Sequence, residues 1–149
     1  MSSVEEVRSK VQNLLVEGLG VEPILEKGGS FRIEFSDAST AVYVVIESFG
    51  EDEVHTLVTA YSTLLREVVA TPELFEWIAT EGTEFRFGHA HAFKAEDGTY
   101  VVEFRYSILA DYLDEEELKY AVLQTHFTAD ELDDELQQRF GGKRWIDAD

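Results

Sequence analysis

The stretch FRFGHAHAFKAEDGTYVVEFRYSIL, residues 85–109, decides the fold. Bulky apolar, aromatic and imidazole side chains occupy every second position on both sides of Glu96-Asp97-Gly98, and this period of two is typical of β-strands with one buried face. The acid-acid-Gly sequence is typical of a tight turn between antiparallel strands. We therefore predict a hairpin in which the series from Phe85 to Phe93 shares one buried face with the series from Tyr100 to Ile108. The opposite face would carry Glu103 and Arg105.

The residues before this hairpin predict a helix followed by four more strands. Ser3 is a suitable N-cap, acids occupy the first turn, and apolar residues recur at helical spacing as far as Gly18 or Gly20. The period then changes to two, which gives the helix a sheet to cover. The predicted strands are Ile24-Leu25, Phe31–Phe35 after the Gly28-Gly29 turn, Ala41–Phe49, and Val54–Val69. A helix is the alternative for Val54–Val69, but its content of Thr, Val and Tyr favours a strand.

Two further helices are predicted around the hairpin. Thr71-Pro72-Glu73 combines an N-cap, a proline at the first helical position and an acid, and indicates a short helix that ends near Gly82. Asp114 is the predicted N-cap of a long helix through Phe140 that stops at Gly141-Gly142, with a possible break near Thr128. The order α-β-β-β-β-α-β-β-α predicts the α+β class, with helices covering an antiparallel sheet.

Length and composition indicate one domain without disulfides. A chain of 149 residues with 44% hydrophobic residues can bury one core, which we place in residues 1–142, with a C-terminal tail at 143–149 that contains Trp145-Ile146. The absence of cysteine excludes a disulfide framework, a thiolate nucleophile and a zinc ribbon. No long apolar run and no basic leader are present, so we expect a cytoplasmic protein.

The charge of the chain narrows its possible partners. Thirty-one acids against twelve Lys and Arg give a formal net charge of -19. Nucleic acids and anionic membranes are not expected partners, because both are recognised through clustered basic side chains. The acidity is explained by solubility or adaptation to salt, or by attraction of a basic or unfolded partner.

In element order, the chain resembles the YbjN-like proteins and the type III secretion chaperones. The most similar stretch is residues 85–142, where two strands around an acidic-Gly turn precede a helix that ends in Phe-Gly-Gly, and the segment ATPELFEWIA before it is also similar. The resemblance implies a type III secretion chaperone-like fold and a small acidic protein, often a homodimer, that binds peptide segments of a client. It supplies no catalytic residues.

A rival prediction comes from His89-Ala90-His91, which places two imidazoles on one strand face. Such a pair can hold a metal if a third ligand converges on it, so the alternative is a small ligand-binding or metal-binding protein, or an enzyme, that uses His89 and His91. A pair of hydrogen-bonded, half-buried histidines is the more common arrangement. No serine lies in a nucleophile elbow, and neither pair of glycines has the lysine of a phosphate loop.

We therefore predict a non-catalytic module, without a cofactor, that binds a protein or peptide client and forms a homodimer through similar surface. An uncovered sheet face or edge offers a peptide both backbone hydrogen bonds and alternating apolar pockets. The predicted partner-binding residues are Phe31, Ile33, Phe35, Tyr43 and Val45.

Overall fold

The structure, a computed structural model, describes residues 3–147. Its helices are α1 (Val4–Leu19), α2 (Pro72–Ala79) and α3 (Glu115–Phe140). Its strands are β1 (Ile24–Leu25), β2 (Phe31–Ile33), β3 (Val42–Phe49), β4 (His55–Val68), β5 (His89–Lys94) and β6 (Tyr100–Leu109). Short 3₁₀ turns lie at Glu51–Glu53, Glu81–Thr83 and Trp145–Asp147. The predicted α+β class and the predicted order of elements are confirmed.

The six strands of residues 3–147 form one sheet in the order β1-β2-β3-β4-β6-β5, and all neighbours are antiparallel. The strand prediction for Val54–Val69 is confirmed, because β4 runs from His55 to Val68 and pairs with both β3 and β6. Its β-branched and aromatic residues fit this central position, where both edges of the strand are paired.

The helices begin at the predicted caps. The side chains of Ser3, Thr71 and Asp114 each accept a hydrogen bond from the backbone N–H three residues later, at 3.1, 3.2 and 2.8 Å. Each bond satisfies one N–H group that has no partner within its helix. Helix α3 continues through Thr128 without the predicted break.

All three α-helices of the described chain pack on the same face of the sheet. Two buried clusters lie between the layers. One contains residues of α1, β2, β3 and the first half of α3, and the other contains residues of α2, β5, β6 and the second half of α3. No helix within residues 3–147 has the length and apolar composition of a membrane span.

The predicted face of the second strand of the 85–109 hairpin is confirmed, since Val102 and Phe104 face the helices while Glu103 and Arg105 do not. The predicted face of the first strand is wrong at His89, His91 and Phe93. In the observed register His89 lies opposite Arg105 and His91 opposite Glu103, while Ala90 and Ala92 share the helix-covered face with Val102 and Phe104. The turn explains the difference. Ala95 and Thr99 close a loop of three residues, with the Ala95 N–H donating to the Thr99 carbonyl at 2.7 Å, so odd-numbered residues meet odd-numbered ones.

Gly88 explains how Phe87 reaches the helical side although His89 and His91 do not. Its φ of 77° lies in the left-handed region and interrupts the alternation just before β5. The Phe87 ring therefore packs on Tyr106 and on Tyr120 of α3, with ring centroids 5.7 and 5.4 Å apart.

The segment after α3 packs against the domain. Lys143 and Arg66 of β4 exchange two backbone hydrogen bonds, of 2.7 and 2.8 Å, beyond the end of β3. Two residues on, Trp145 Nε1 donates to the Tyr43 hydroxyl at 3.1 Å. Hydrogen bonds from Arg144 hold the pKa of Asp147 well below its usual range. The domain boundary at residue 142 stays a prediction.

Helix α3 carries two buried ionisable side chains close to the loop before β3. Asp133 is fully buried, and neither of its carboxylate oxygens has a hydrogen-bond partner among the residues described. Burial raises the pKa of Asp133, and the nearby Ser39 hydroxyl opposes this rise. His126 stacks on Phe35 with ring centroids 4.1 Å apart, and burial lowers the pKa of its imidazole.

Candidate functional site

The sheet face away from the helices contributes no side chain to either buried cluster. We call it the open face. Its strands alternate, so that every second side chain points away from the helical layer. The side chains on this face are those of Arg32, Tyr43, Val45, Glu47, Phe49, His55, Leu57, Thr59, Tyr61, Thr63, His89, His91, Phe93, Val101, Glu103, Arg105, Ser107 and Leu109.

One row of residues crosses the middle of the open face. Its members lie opposite one another in successive strands and are Arg32, Tyr43, Tyr61, Arg105 and His89. The rings of Tyr43 and Tyr61 stack with centroids 5.2 Å apart, and the Arg105 guanidinium lies over the Tyr61 ring at 5.8 Å. Such contacts fix side-chain positions and leave flat, half-buried surface exposed.

Tyr61 is held in its neutral form by its surroundings. Burial and the nearby Glu103 carboxylate both raise the pKa of its hydroxyl. The phenol is therefore a hydrogen-bond donor at neutral pH, on an aromatic ring that lies between Tyr43 and Arg105.

The two imidazoles share one face of β5, as expected from their spacing, but this is the open face and not the predicted buried face. Their ring centroids are 6.1 Å apart, and His91 Nε2 is 2.9 Å from Glu103 Oε1, so His91 is hydrogen-bonded. Among residues 3–147 no group of three or more His, Cys, Asp or Glu side chains is arranged to hold a metal ion. His91 and Glu103 thus have the geometry of a cross-strand ion pair or hydrogen bond. No observation favours the metal-binding alternative for His89 and His91.

At one end the open face leads into a cavity of about 530 Å³ that we call the end pocket. Its lining residues are Phe49, His55, Leu109, Asp111 and Tyr112. Phe49, Leu109 and Tyr112 are 40%, 50% and 85% exposed, which is unusual for large apolar and aromatic side chains. The ionisable pair of the end pocket is His55 and Asp111, whose side chains approach to 3.2 Å.

The structure divides the five predicted partner-binding residues between the two faces. Tyr43 and Val45 lie half-buried on the open face. Phe31 and Ile33 are each 1% exposed in the core beneath the helices, and Phe35 packs beside that core on His126. Phe31 and Ile33 are therefore inaccessible to a partner without displacement of a helix, and Phe35 is partly exposed but does not lie on the open face.

The end pocket is not predicted by any local pattern in the sequence. His55 and Asp111 are 56 residues apart and become neighbours only because β4 pairs with β6 and the chain turns after Leu109. The signal in the sequence was a pair of short stretches with apolar and acidic residues, one before the fourth predicted strand and one after the last. The register between these two strands is needed to bring the stretches together.

Comparison with known proteins agrees with this architecture. Residues 5–148 match the family model TY-Chap1, described as T3SS (YopN, CesT) and YbjN peptide-binding chaperone 1. The chain belongs to this family. The TY-Chap1 match indicates a peptide-binding, chaperone-like module rather than an enzyme.

Two solved structures share the TY-Chap1 fold at low sequence identity. YbjN from E. coli superposes with a TM-score of 0.60 at 12% identity, covering 89% of this chain and 93% of that chain. The Yersinia pestis type III secretion chaperone SycH, solved in complex with a stable fragment of YscM2, gives a TM-score of 0.52 at 11% identity, covering 84% and 98%. Curated protein sequences gave no significant match.

Proposed function

We propose that this protein binds an extended, partly apolar segment of a client protein on its open face. The observation that carries the proposal is the asymmetry of the sheet. One face is closed by three helices over a continuous core, while no α-helix of residues 3–147 covers the other. Membership of a family described as peptide-binding chaperones supports this proposal, and the second face is free of α-helices among the residues described.

The chemistry of the open face suits an extended peptide. Tyr43, Val45, Leu57 and Tyr61 are half-buried, so they offer apolar contact at little further loss of side-chain freedom. Rows of side chains repeat every second residue along each strand, and an extended segment has the same period. The edge strand β5 adds backbone groups on one side, where a client strand could pair.

This proposal keeps Tyr43 and Val45 from the sequence prediction and replaces the other three residues. Phe31 and Ile33 stabilise the core, and their replacement would unfold the protein before it revealed anything about binding. Leu57 and Tyr61 on β4 take their place. Tyr61 lies opposite Tyr43, and Leu57 lies opposite Glu47, diagonal to Val45.

A second copy of the chain is the competing occupant of the open face. A two-fold symmetric contact would use the same residues on both subunits, so client binding and homodimer formation would exclude each other there. Light scattering with and without a bound peptide measures the molar mass, and so the fraction of the protein that is dimeric. We expect the peptide to reduce any dimer that uses the open face.

Selection from a phage-displayed library of random dodecapeptides tests the proposal. Selected peptides should bind the wild-type protein in fluorescence anisotropy, and Tyr43→Ala should weaken binding about tenfold, or about 1.4 kcal/mol. Val45→Thr keeps the side-chain shape and should weaken it by a smaller factor. Phe127→Ala is the matched control, since it removes an aromatic ring that is 58% exposed on α3.

Thermal melts must first show that each variant folds. The proposed function would be contradicted if no peptide were selected. It would also be contradicted if Phe127→Ala weakened the binding of the selected peptides while Tyr43→Ala and Val45→Thr did not.

A further inference from the structure

We propose that the end pocket binds an arginine side chain of the client segment, with Asp111 as the acceptor of its guanidinium. This inference rests on the proposed function and specifies the client. It follows from three features: the orphan oxygen of Asp111, the walls of the pocket, and the charge of the segments that build it.

Asp111 has an acceptor that the protein leaves unused. Its Oδ2 is 3.2 Å from His55 Nδ1, whereas its Oδ1 is buried and has no hydrogen-bond partner within the described part of the chain. The Asp111 side chain is only 17% exposed. The exposed part of this carboxylate is at the pocket, which Asp111 lines, and a carboxylate with unused acceptor capacity is stabilised by a cationic donor there.

The walls of the end pocket suit a planar cation on an aliphatic stem. The rings of Phe49 and His55 lie 5.4 Å apart at an interplanar angle of 32°, and Leu109 and the exposed ring of Tyr112 complete the lining. A guanidinium stacks on aromatic rings and is more weakly hydrated than an ammonium group, so this lining favours arginine over lysine.

The charge around the pocket has the complementary sign. The pocket is built from residues within 33–65 and 106–118, and neither segment contains a Lys or Arg. The first segment holds the acids Glu47, Glu51, Asp52 and Glu53 near the β3–β4 turn, and the second holds Asp111 and the acids at the start of α3. A cation approaching this end of the sheet therefore meets no fixed positive charge from these segments and several negative ones.

The position of the pocket sets a spacing within the client. Leu57 and Leu109 are paired at the pocket end of the open face, and Tyr61 and Arg105 are paired four residues away along the same strands. Four extended residues span about 13 Å. A client that lies along the strands with its arginine in the end pocket would place an apolar residue four positions away over the tyrosine row.

Titration with N-acetyl-L-argininamide, followed by ¹⁵N–¹H NMR, tests the pocket without any peptide. We expect saturable shifts at Phe49, Leu109, Asp111 and Tyr112, and at least tenfold weaker binding of N-acetyl-norleucinamide. Asp111→Asn should abolish saturation. Glu51→Gln, which removes an exposed acid from the nearby 3₁₀ turn, should change the affinity less than twofold.

Tyr112→Ala provides a second variant that leaves the His55–Asp111 contact in place. Because this ring is 85% exposed, its removal should not affect folding and should weaken the arginine probe severalfold. Equal binding of the arginine and norleucine probes, or saturation that persists in Asp111→Asn, would overturn the inference. Equal binding of N-acetyl-L-lysinamide would overturn the assignment to arginine.

The dodecapeptide selection separates this inference from the proposed function. We expect the selected peptides to carry arginine four positions from an apolar residue more often than chance. If this enrichment is lost when the selection uses Asp111→Asn, the result would support both the proposed function and the arginine site. Peptides that bind the open face without arginine would overturn the pocket assignment and leave the proposed function standing. If no peptide is selected, the proposed function fails, and the argininamide titration alone decides whether the pocket binds a guanidinium.

Discussion

A side chain at Gly88 would meet the backbone of Arg105, since a Cβ built there lies 2.6 Å from the Arg105 carbonyl oxygen and 2.7 Å from Cζ of Phe104. The close approach and the φ of 77° together fix the point at which the chain enters β5. The position of Gly88 thus decides which side of the sheet Phe87 contacts.

Gly88→Ala should therefore lower the free energy of unfolding by about 3 kcal/mol, from backbone strain and steric overlap combined. Urea denaturation measures it. Gly98→Ala is the control, because Gly98 has a φ of 88° but its Cβ would contact nothing within 4 Å in the described structure. It should cost about 1 to 2 kcal/mol. Equal losses in the two variants would show that the contact with Arg105 is unimportant.

Asp133 should make the protein less stable as the pH rises. Burial raises its folded-state pKa, so the folded protein holds the proton more tightly than the unfolded chain does. The stability from this group is complete below about pH 4 and is lost as the pH rises through the raised pKa. Asp133→Asn should remove this loss. The free energy of unfolding of the variant, minus that of the wild type, should be about 1 to 3 kcal/mol larger at pH 8 than at pH 4. Urea denaturation at both pH values measures the difference.

The exposed Glu135 on the same helix provides the control for Asp133. Glu135→Gln removes one negative charge without changing a buried group, and it should leave the pH dependence of unfolding as in wild type. The prediction fails if Asp133→Asn and Glu135→Gln have the same effect.

His126 should act in the opposite direction. Burial lowers the pKa of its imidazole, so the unfolded chain binds the proton more tightly and stability falls as the pH drops below about 6.5. His126→Phe retains a ring to stack on Phe35 and should flatten the change in melting temperature between pH 7 and pH 5.5. The exposed His89, replaced by Gln, should leave that change intact. An NMR titration midpoint of His126 at or above 6.5 would contradict this prediction.

Tyr43 should hold the segment after α3 through its hydroxyl. Tyr43→Phe removes the acceptor of the Trp145 indole and should lower stability by about 1 kcal/mol, while the ring stack on Tyr61 remains. Faster hydrogen exchange of the Trp145 indole N–H is the direct readout. Tyr112→Phe should not change this exchange rate, since Tyr112 is largely exposed and lines the end pocket instead.

The sequence predicted the elements well because their signals are local. The three N-caps depend on one side chain and the next turn, and the alternation in β3 and β4 depends on adjacent residues. The faces of the last hairpin could not be assigned in this way. Ala90 is buried, and Ala92 is partly buried, because the chain near α2 comes close: a Cβ at Gly82 would lie 3.2 Å from the Ala90 Cβ. Small residues therefore occupy the core here and larger ones lie outside, contrary to the usual expectation from hydrophobicity.

The candidate site was predicted only in part for a similar reason. Tyr43 and Val45 follow from the strand that contains them, whereas Phe31 and Ile33 share the alternation but point to the opposite side. Which side carries the helices is a tertiary property. The end pocket requires in addition the register between β4 and β6, which no local pattern contains.

The one-sided packing of the helices also bears on how such a protein can diverge. Residues that hold the layers together and residues that face outward alternate along the same strands, so each can be exchanged independently of its neighbours in sequence. Changes of preference for one ligand over another can then accumulate on β3, β4 and β6 while the interior stays intact. Sequences sharing this architecture could therefore lose nearly all recognisable identity and still fold alike.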